Sequence, residues 1–515
     1  MQLYTWSWIF LVFYVSAMLG FGYFAGRKVQ DADDFATARS SYGPLLLALA
    51  FASTAASGAT FLGVPGLSYT LGVSIVWVAF LYPIGIYIGV LICQKTIGRY
   101  GNQSGARSIP EYLGERYQSE ALRISAALLS LLLLFYLAGQ LVAGLVMFEM
   151  MLGLSKTWAL TITAVVLIGY VTMGGAHADI LTDGAQAALM VVLALAITIF
   201  FFIGFGAGGF DSLLDKLRQQ DPVLLNNFNP STAITASTWS YISLIIAHIP
   251  LGLLPHIGNK LWALKDEKTR TRFLILAFTF GMILPAMSLG GLSARAILGD
   301  ELLAGGANTA LPGLFIELFP AWLAALLGVG VLAAIMSTAD GLLISTSQVF
   351  ANDIYRRSIA PRIHSSLSQD ALDKNVLKIS RIVTVLTLLG SIALGWSIMN
   401  MNVTLLIWAG VGGFTAAMMG PLVFGSLWGG VTKTGALAGF WAGAISFILI
   451  HGEIISGHWL TGTALEDFGN WFAFYAKSPY SAASIGGALS VITCFIVSRL
   501  TEPLSVEHLQ QVRGS

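Results

Sequence analysis

Thirteen long apolar runs, separated only by short turns and charged stretches, leave this 515-residue chain little choice of fold. They fall at roughly 4–24, 43–66, 74–94, 124–150, 157–174, 185–206, 236–256, 272–294, 321–350, 379–398, 402–427, 434–452 and 481–499. In lipid each run can satisfy its own backbone only as a helix, so the expected fold class is an all-α polytopic membrane protein of about 13 transmembrane helices. A composition that is 56% hydrophobic and 10% charged agrees. An odd number of spans puts the termini on opposite sides. Of the 27 Lys and Arg, only Lys156, Lys216, Arg218, Arg295 and Lys477 fall on one side, which places the N-terminus outside and the C-terminus inside. The expected location is the plasma membrane, the inner membrane in a bacterium.

The first run lacks a basic leader and is long, so it reads as a retained helix rather than a cleaved signal. Cys93 and Cys494 both lie in spans, which suggests neither a disulfide framework nor a metal cluster. The longest stretches between spans, about 207–235, 351–378 and 453–480, are too short for an appended domain. Paired carboxylates, metal-spaced His/Cys sets and a nucleophile elbow are absent, so an enzyme is not expected, nor is a nucleic-acid partner. Partners reduce to the lipid bilayer and a small solute, with the oligomeric state left open.

Within the ninth run, Ala334, Ser337 and Thr338 stand at i, i+3 and i+4, so one carbonyl and two hydroxyl oxygens share a helix face. That is half of an oxygen cage for a small, hard cation, at a depth where polar groups are costly unless used. Asp340 follows, either to help release an ion inward or to face an aqueous vestibule. The second run is rich in small and hydroxylated residues from Ser53 to Thr60, with Gly58 among them, and holds a continuous helix poorly. Unwound backbone at mid-membrane depth lines a cavity or binds something, although Ser53, Ala56 and Gly58 could equally form a helix-packing face. The seventh run carries two prolines and two glycines between Ile249 and Gly258, which should break it too. Five helices separate the two breaks, so a repeat of that unit must be inverted, and matched interruptions point to a transporter's binding site.

Several motifs together resemble the sodium:solute symporter family, which includes carriers of proline, pantothenate, sugars, sialate and monocarboxylates. They are Ala333-Ala334-Ile335-Met336-Ser337-Thr338, the Ser57-Gly58 break leading to Gly63-Val64-Pro65-Gly66, and Gly174-Gly175 followed by Thr182-Asp183-Gly184-Ala185-Gln186. Pro255-His256, Asp34 to Ser40 before Gly43, and Ser108-Ile109-Pro110-Glu111-Tyr112-Leu113 with Arg116-Tyr117 complete the set, in order from about residue 10 to 430. The resemblance implies the five-plus-five inverted repeat of the leucine-transporter-type fold. Residues 1–42 would be an extra helix and cytoplasmic loop, and 43–428 the transport core in halves 43–206 and 236–428. Residues 429–515 would be two peripheral helices and a short tail. It also implies a Na⁺ site made by the carbonyls of Ser53, Ala56 and Ala334 and the hydroxyls of Ser337 and Thr338. Asp183 lies where some members use an aspartate near a second cation, though at the inner start of a span it reads first as a solvated interfacial acid.

Solute contacts in this fold would come from Thr54, Ser57, Thr60, Tyr136, Gln140 and His248. Tyr136 also reads as a core aromatic and His248 as a hydrogen-bonded structural residue. Proline-transporting members carry an acid where this chain has Ala55, which weakens a cationic solute. The Arg residues inside the expected core spans, Arg272 and Arg381, sit at their inner ends, so no Lys or Arg lies near the middle of a core span to clamp a carboxylate. The run Leu264-Lys265-Asp266-Glu267-Lys268 and the surroundings of Gln140 lean toward the pantothenate and monocarboxylate branch. The expected function is a secondary active symporter that couples inward Na⁺ flow to uptake of a carboxylate- or amino-acid-like solute by alternating access. The alternatives are a proton-coupled carrier using Asp340 or His248, and a transporter-like sensor.

Overall fold

The computed structural model describes residues 2–304, 306–364, 367–398 and 401–513, apart from the side chains of 168–173 and 513. Among them are ten helices long and apolar enough to cross a membrane, two bent helix pairs and one shorter apolar helix, which together match the thirteen runs. In chain order they are α1 (Leu3–Gly26), the pair α2 (Pro44–Ala55) and α3 (Ala59–Leu71), α4 (Val73–Ser104), α5 (Glu120–Leu152), α6 (Lys156–Leu167) and α7 (Gly174–Phe202). There follow the pair α8 (Thr238–Leu253) and α9 (Pro255–Ala263), α10 (Glu267–Leu298), α11 (Ala321–Gln348), α12 (Gln369–Ser397), α13 (Val403–Leu427), α14 (Lys433–His451) and α15 (Pro479–Leu500).

Both expected breaks are present. The α2/α3 pair bends by 58° and the α8/α9 pair by 54°. In the first, Ala56 leaves helical geometry (φ −94°, ψ 79°). In the second, Leu254 is extended (φ −65°, ψ 154°) ahead of Pro255, which restarts the helix where its missing N–H costs nothing. The inner ends of the two broken spans are tied by backbone: Tyr42 N–H donates to Ala263 O at 2.9 Å and Lys265 N–H to Tyr42 O at 2.9 Å.

Three boundaries differ from expectation, and each matters. The seventh span continues past Pro255 to Ala263, which draws Lys260 into the protein interior rather than an inner loop. The sixth begins at Gly174, so His177, Asp179 and Asp183 are helical. The turn that starts it is made at Gly175 (φ 51°, ψ −137°), where a Cβ would stand 2.4 Å from Phe35 O. The ninth span does not stop near residue 350. It continues in π-helical turns through Val349–Ile359, which carry Asn352 to Glu111 (2.7 Å) and Asp353 to Ser108 (2.7 Å), with Arg357 also on Glu111. The Ser108–Leu113 motif thus anchors the inner end of that span.

Helix α4 packs against α8 in direct backbone contact. A Cβ on Gly85 would lie 2.3 Å from Ile245 O, and one on Gly89 1.8 Å from Ile249 O. Glycines at i and i+4 make this approach possible, as small residues do between helices in lipid.

Candidate functional site

The hydroxyls of α11 meet the broken end of α2. Ser337 Oγ donates to Ser53 O at 3.2 Å and to Ala334 O at 3.1 Å, and Thr338 Oγ1 donates to Thr54 O at 3.0 Å. Ser53, Ala334 and Ser337 therefore present three oxygens to one point, with Thr338 beside them on the next carbonyl. Ala56 closes the same break at the end of α2. All five residues are buried. Carbonyl and hydroxyl dipoles of this kind can replace the water shell of a small cation.

Gln140, from α5, holds the break in shape. Its Oε1 accepts from Gly58 N–H at 2.9 Å, and because only an oxygen can accept there the amide orientation is fixed. Its Nε2 is buried without a hydrogen-bond partner among the described residues. Gln140→Leu would strand the Gly58 N–H in a dry site, a cost of about 1–3 kcal/mol. The expected result is a lower melting temperature together with Na⁺ affinity weakened by up to about tenfold, read by thermal unfolding across a Na⁺ titration. Unchanged affinity would show that Gln140 does not shape the break.

On the other side of the break lies a cavity lined by Ser57, Thr60, Tyr136 and His248 along with Ala55, Tyr82, Thr404, Trp408 and Tyr480. Thr60 Oγ1 pairs with Tyr82 OH at 2.8 Å, and Ser57 Oγ caps Ala59 N–H at 3.1 Å. The His248 ring sits 4.5 Å from Trp408, 5.4 Å from Tyr82 and 5.6 Å from Tyr480, centroid to centroid. Its Nδ1 faces Leu244 O at 2.7 Å. A carbonyl only accepts, so Nδ1 carries the proton and Nε2 of the neutral ring is an acceptor. Among the described residues, no charged side chain lines this cavity.

Thr54 is placed elsewhere. Its hydroxyl turns to Asp183 Oδ2 (2.5 Å) and Ala50 O (2.9 Å), toward a charged cluster on the inner side. Asp183 is not a solvated interfacial acid: it is fully buried, with Oδ2 also 2.6 Å from Lys260 Nζ. Asp179, one turn earlier, takes the same ammonium at 2.5 Å. Asp340 is fully buried rather than facing a vestibule, accepting from Gly341 N–H at 2.9 Å and from Thr182 Oγ1 at 3.3 Å. Sequence reasoning missed Asp179, Lys260, Tyr82, Trp408 and Tyr480. The available signal was the i, i+4 pair Asp179 and Asp183, which on one buried helix face demands a cation from another element.

The match to known proteins decides what owns this arrangement. The sodium:solute symporter family model covers residues 35–443, most of the chain. The chain belongs to the sodium:solute symporter family. This symporter is 28% identical to the sodium/pantothenate symporter of Haemophilus influenzae, over 85% of this chain and 89% of that one. It is 29% identical to the sodium/proline symporter of Escherichia coli, over 85% and 86%. In shape it matches a Na⁺-coupled sialic acid symporter solved substrate-bound and outward-open, with a TM-score of 0.73 at 19% identity, covering 97% and 99% of the two chains. The symporter therefore has the leucine-transporter-type fold, spans the membrane many times, and couples Na⁺ entry to uptake of a small organic solute by alternating access.

Proposed function

We propose that the solute is a compact carboxylate- or amino-acid-like molecule bound in the cavity beside Ser57, while one Na⁺ is held by the carbonyls of Ser53, Ala56 and Ala334 and the hydroxyls of Ser337 and Thr338. The observation that carries this reading is that the two sites share one broken helix: α2 offers its last carbonyls to α11, and the residues after the break line the cavity. An ion that joins α2 to α11 also sets the shape of the solute pocket, which is what coupling requires. Residues 43–428 would form the transport core.

The cavity's chemistry narrows the solute. Ala55 lines it with a methyl group, so no acid is present there to pair with a strongly cationic solute. His248 Nε2 asks for an N–H or O–H donor, and Thr60 and Tyr82 can give or take. The aromatic rings of Tyr82, Tyr136, Trp408 and Tyr480 in the lining favour a small apolar body. Pantothenate and proline, carried by the two relatives, both fit this description, and likeness to the two is nearly equal. The lean to the pantothenate and monocarboxylate branch therefore rests on the run Leu264-Lys265-Asp266-Glu267-Lys268 and the setting of Gln140. A tenfold Na⁺ gradient supplies about 1.4 kcal/mol and 100 mV about 2.3 per charge, enough for several-hundred-fold accumulation of a neutral solute.

The test is uptake of radiolabelled carboxylates and amino acids, pantothenate and proline included, into proteoliposomes with and without an inward Na⁺ gradient. At least one compact acid should accumulate only with the gradient. Gradient-independent uptake, or uptake driven by protons alone, would overturn the reading.

A further inference from the structure

Beside the sodium cage stands a second group of charges that the reading above does not use. Asp179 and Asp183 on α7 and Asp340 on α11 each bring a carboxylate oxygen within 4.8 Å of the others, all buried. Three carboxylates at that spacing are the donor set of a cation site. A cation is already there: Lys260 Nζ lies 2.5 Å from Asp179 Oδ2 and 2.6 Å from Asp183 Oδ2, and the lysine side chain is 3% exposed. The neighbouring space is built for polar contents. A small cavity is lined by Asp179, Lys260, Asn259 and His256. Asn259 Oδ1 and both ring nitrogens of the buried His256 have no hydrogen-bond partner among the described residues.

We propose that Lys260 is a tethered cation that occupies the second cation position of this symporter, so that one Na⁺, and not two, binds per chain. The inference rests on the sodium cage at Ser337 and Thr338 and adds the stoichiometry. The ammonium uses the facing oxygens of Asp179 and Asp183, and a free ion could reach them only by lying against another positive charge. Asp183 bonds Thr54, whose own carbonyl takes Thr338, so the cluster stands next to the cage. Removing the ammonium should convert the acid cluster into a second sodium site.

Equilibrium binding of ²²Na⁺ to purified full-length protein tests this without knowledge of the solute. The wild type and Lys260→Arg should each bind one Na⁺ per chain, and Lys260→Met should bind two, with a Hill coefficient rising from 1 toward 2. Two ions per wild-type chain would overturn the proposal by itself, whether or not the methionine variant folds. One ion in a folded Lys260→Met chain would also overturn it. A wild type that binds none, beside a Lys260→Met chain that binds one, would refute the cage at Ser337 and Thr338 while supporting the role of Lys260.

Discussion

Replacing Ser337 and Thr338 together by alanine is expected to abolish sodium-driven uptake while leaving most of the protein folded. Both hydroxyls bridge α11 to α2 through the carbonyls of Ser53 and Thr54. Interhelical hydrogen bonds of this kind in membranes average about 0.6 kcal/mol, so the structural loss is small against the stability of thirteen packed spans. The loss for the ion is larger. Each hydroxyl is a proposed ligand, an interaction with a charge worth about 1.5–3 kcal/mol, and losing two should weaken Na⁺ binding a hundredfold or more. Thr338→Ser keeps an oxygen at that position and should keep most of the affinity, which separates ligand chemistry from packing. The measurements are ²²Na⁺ binding and Na⁺-dependent uptake on the same preparations. A double variant with normal sodium dependence would place the ion elsewhere.

The second large effect concerns the frame and not the ion. Gly89→Val should cut the yield of folded protein severely and impair solute binding in whatever survives. A Cβ there would stand 1.8 Å from Ile249 O, which is backbone and cannot rotate aside. Relief requires α4 and α8 to separate by more than an ångström, with an overpacking cost of about 3 kcal/mol. His248 rides on α8, and its Cβ already lies 2.8 Å from where a Cβ on Gly85 would be, so separation also moves the imidazole out of the cavity wall. Gly20→Val is the control, because nothing lies within 4 Å of a Cβ at that position. Size-exclusion profiles of the two variants in detergent make the comparison, and equal monodisperse yields would show that the contact is not required.

The parts legible in the sequence were those where local chemistry contradicts its surroundings. Hydroxyls inside an apolar run marked Ser337 and Thr338, and small residues with glycine or proline marked both breaks. What stayed hidden depended on where helices end and which of them meet. Lys260 reads as a loop residue because a charge after two prolines ends an apolar run, yet the helix restarts at Pro255 and takes the charge inside, where two aspartates satisfy it. Asp183 was misjudged in the same way, since Gly174-Gly175 looks like a loop and is instead a single sharp turn. Tyr480 carried no local signal. It lies at the start of α15, beyond the repeat, and only the packing of that helix against α8 and α13 brings its ring to the solute cavity.

The spacing within the cage has a consequence for which ions can work the carrier. Ser337 Oγ stands 3.2 Å from Ser53 O and 3.1 Å from Ala334 O, and two of these three oxygens belong to a single helix turn that cannot widen freely. If these oxygens hold the proposed Na⁺, the set would act as a gauge of ionic radius: a small ion would touch all the oxygens at once, whereas potassium would have to force α2 away from α11 before it could enter. Discrimination against the ion most abundant inside cells would then be a mechanical property of how closely two helices lie, and it would be lost by anything that loosens that fit, even with every oxygen still in place.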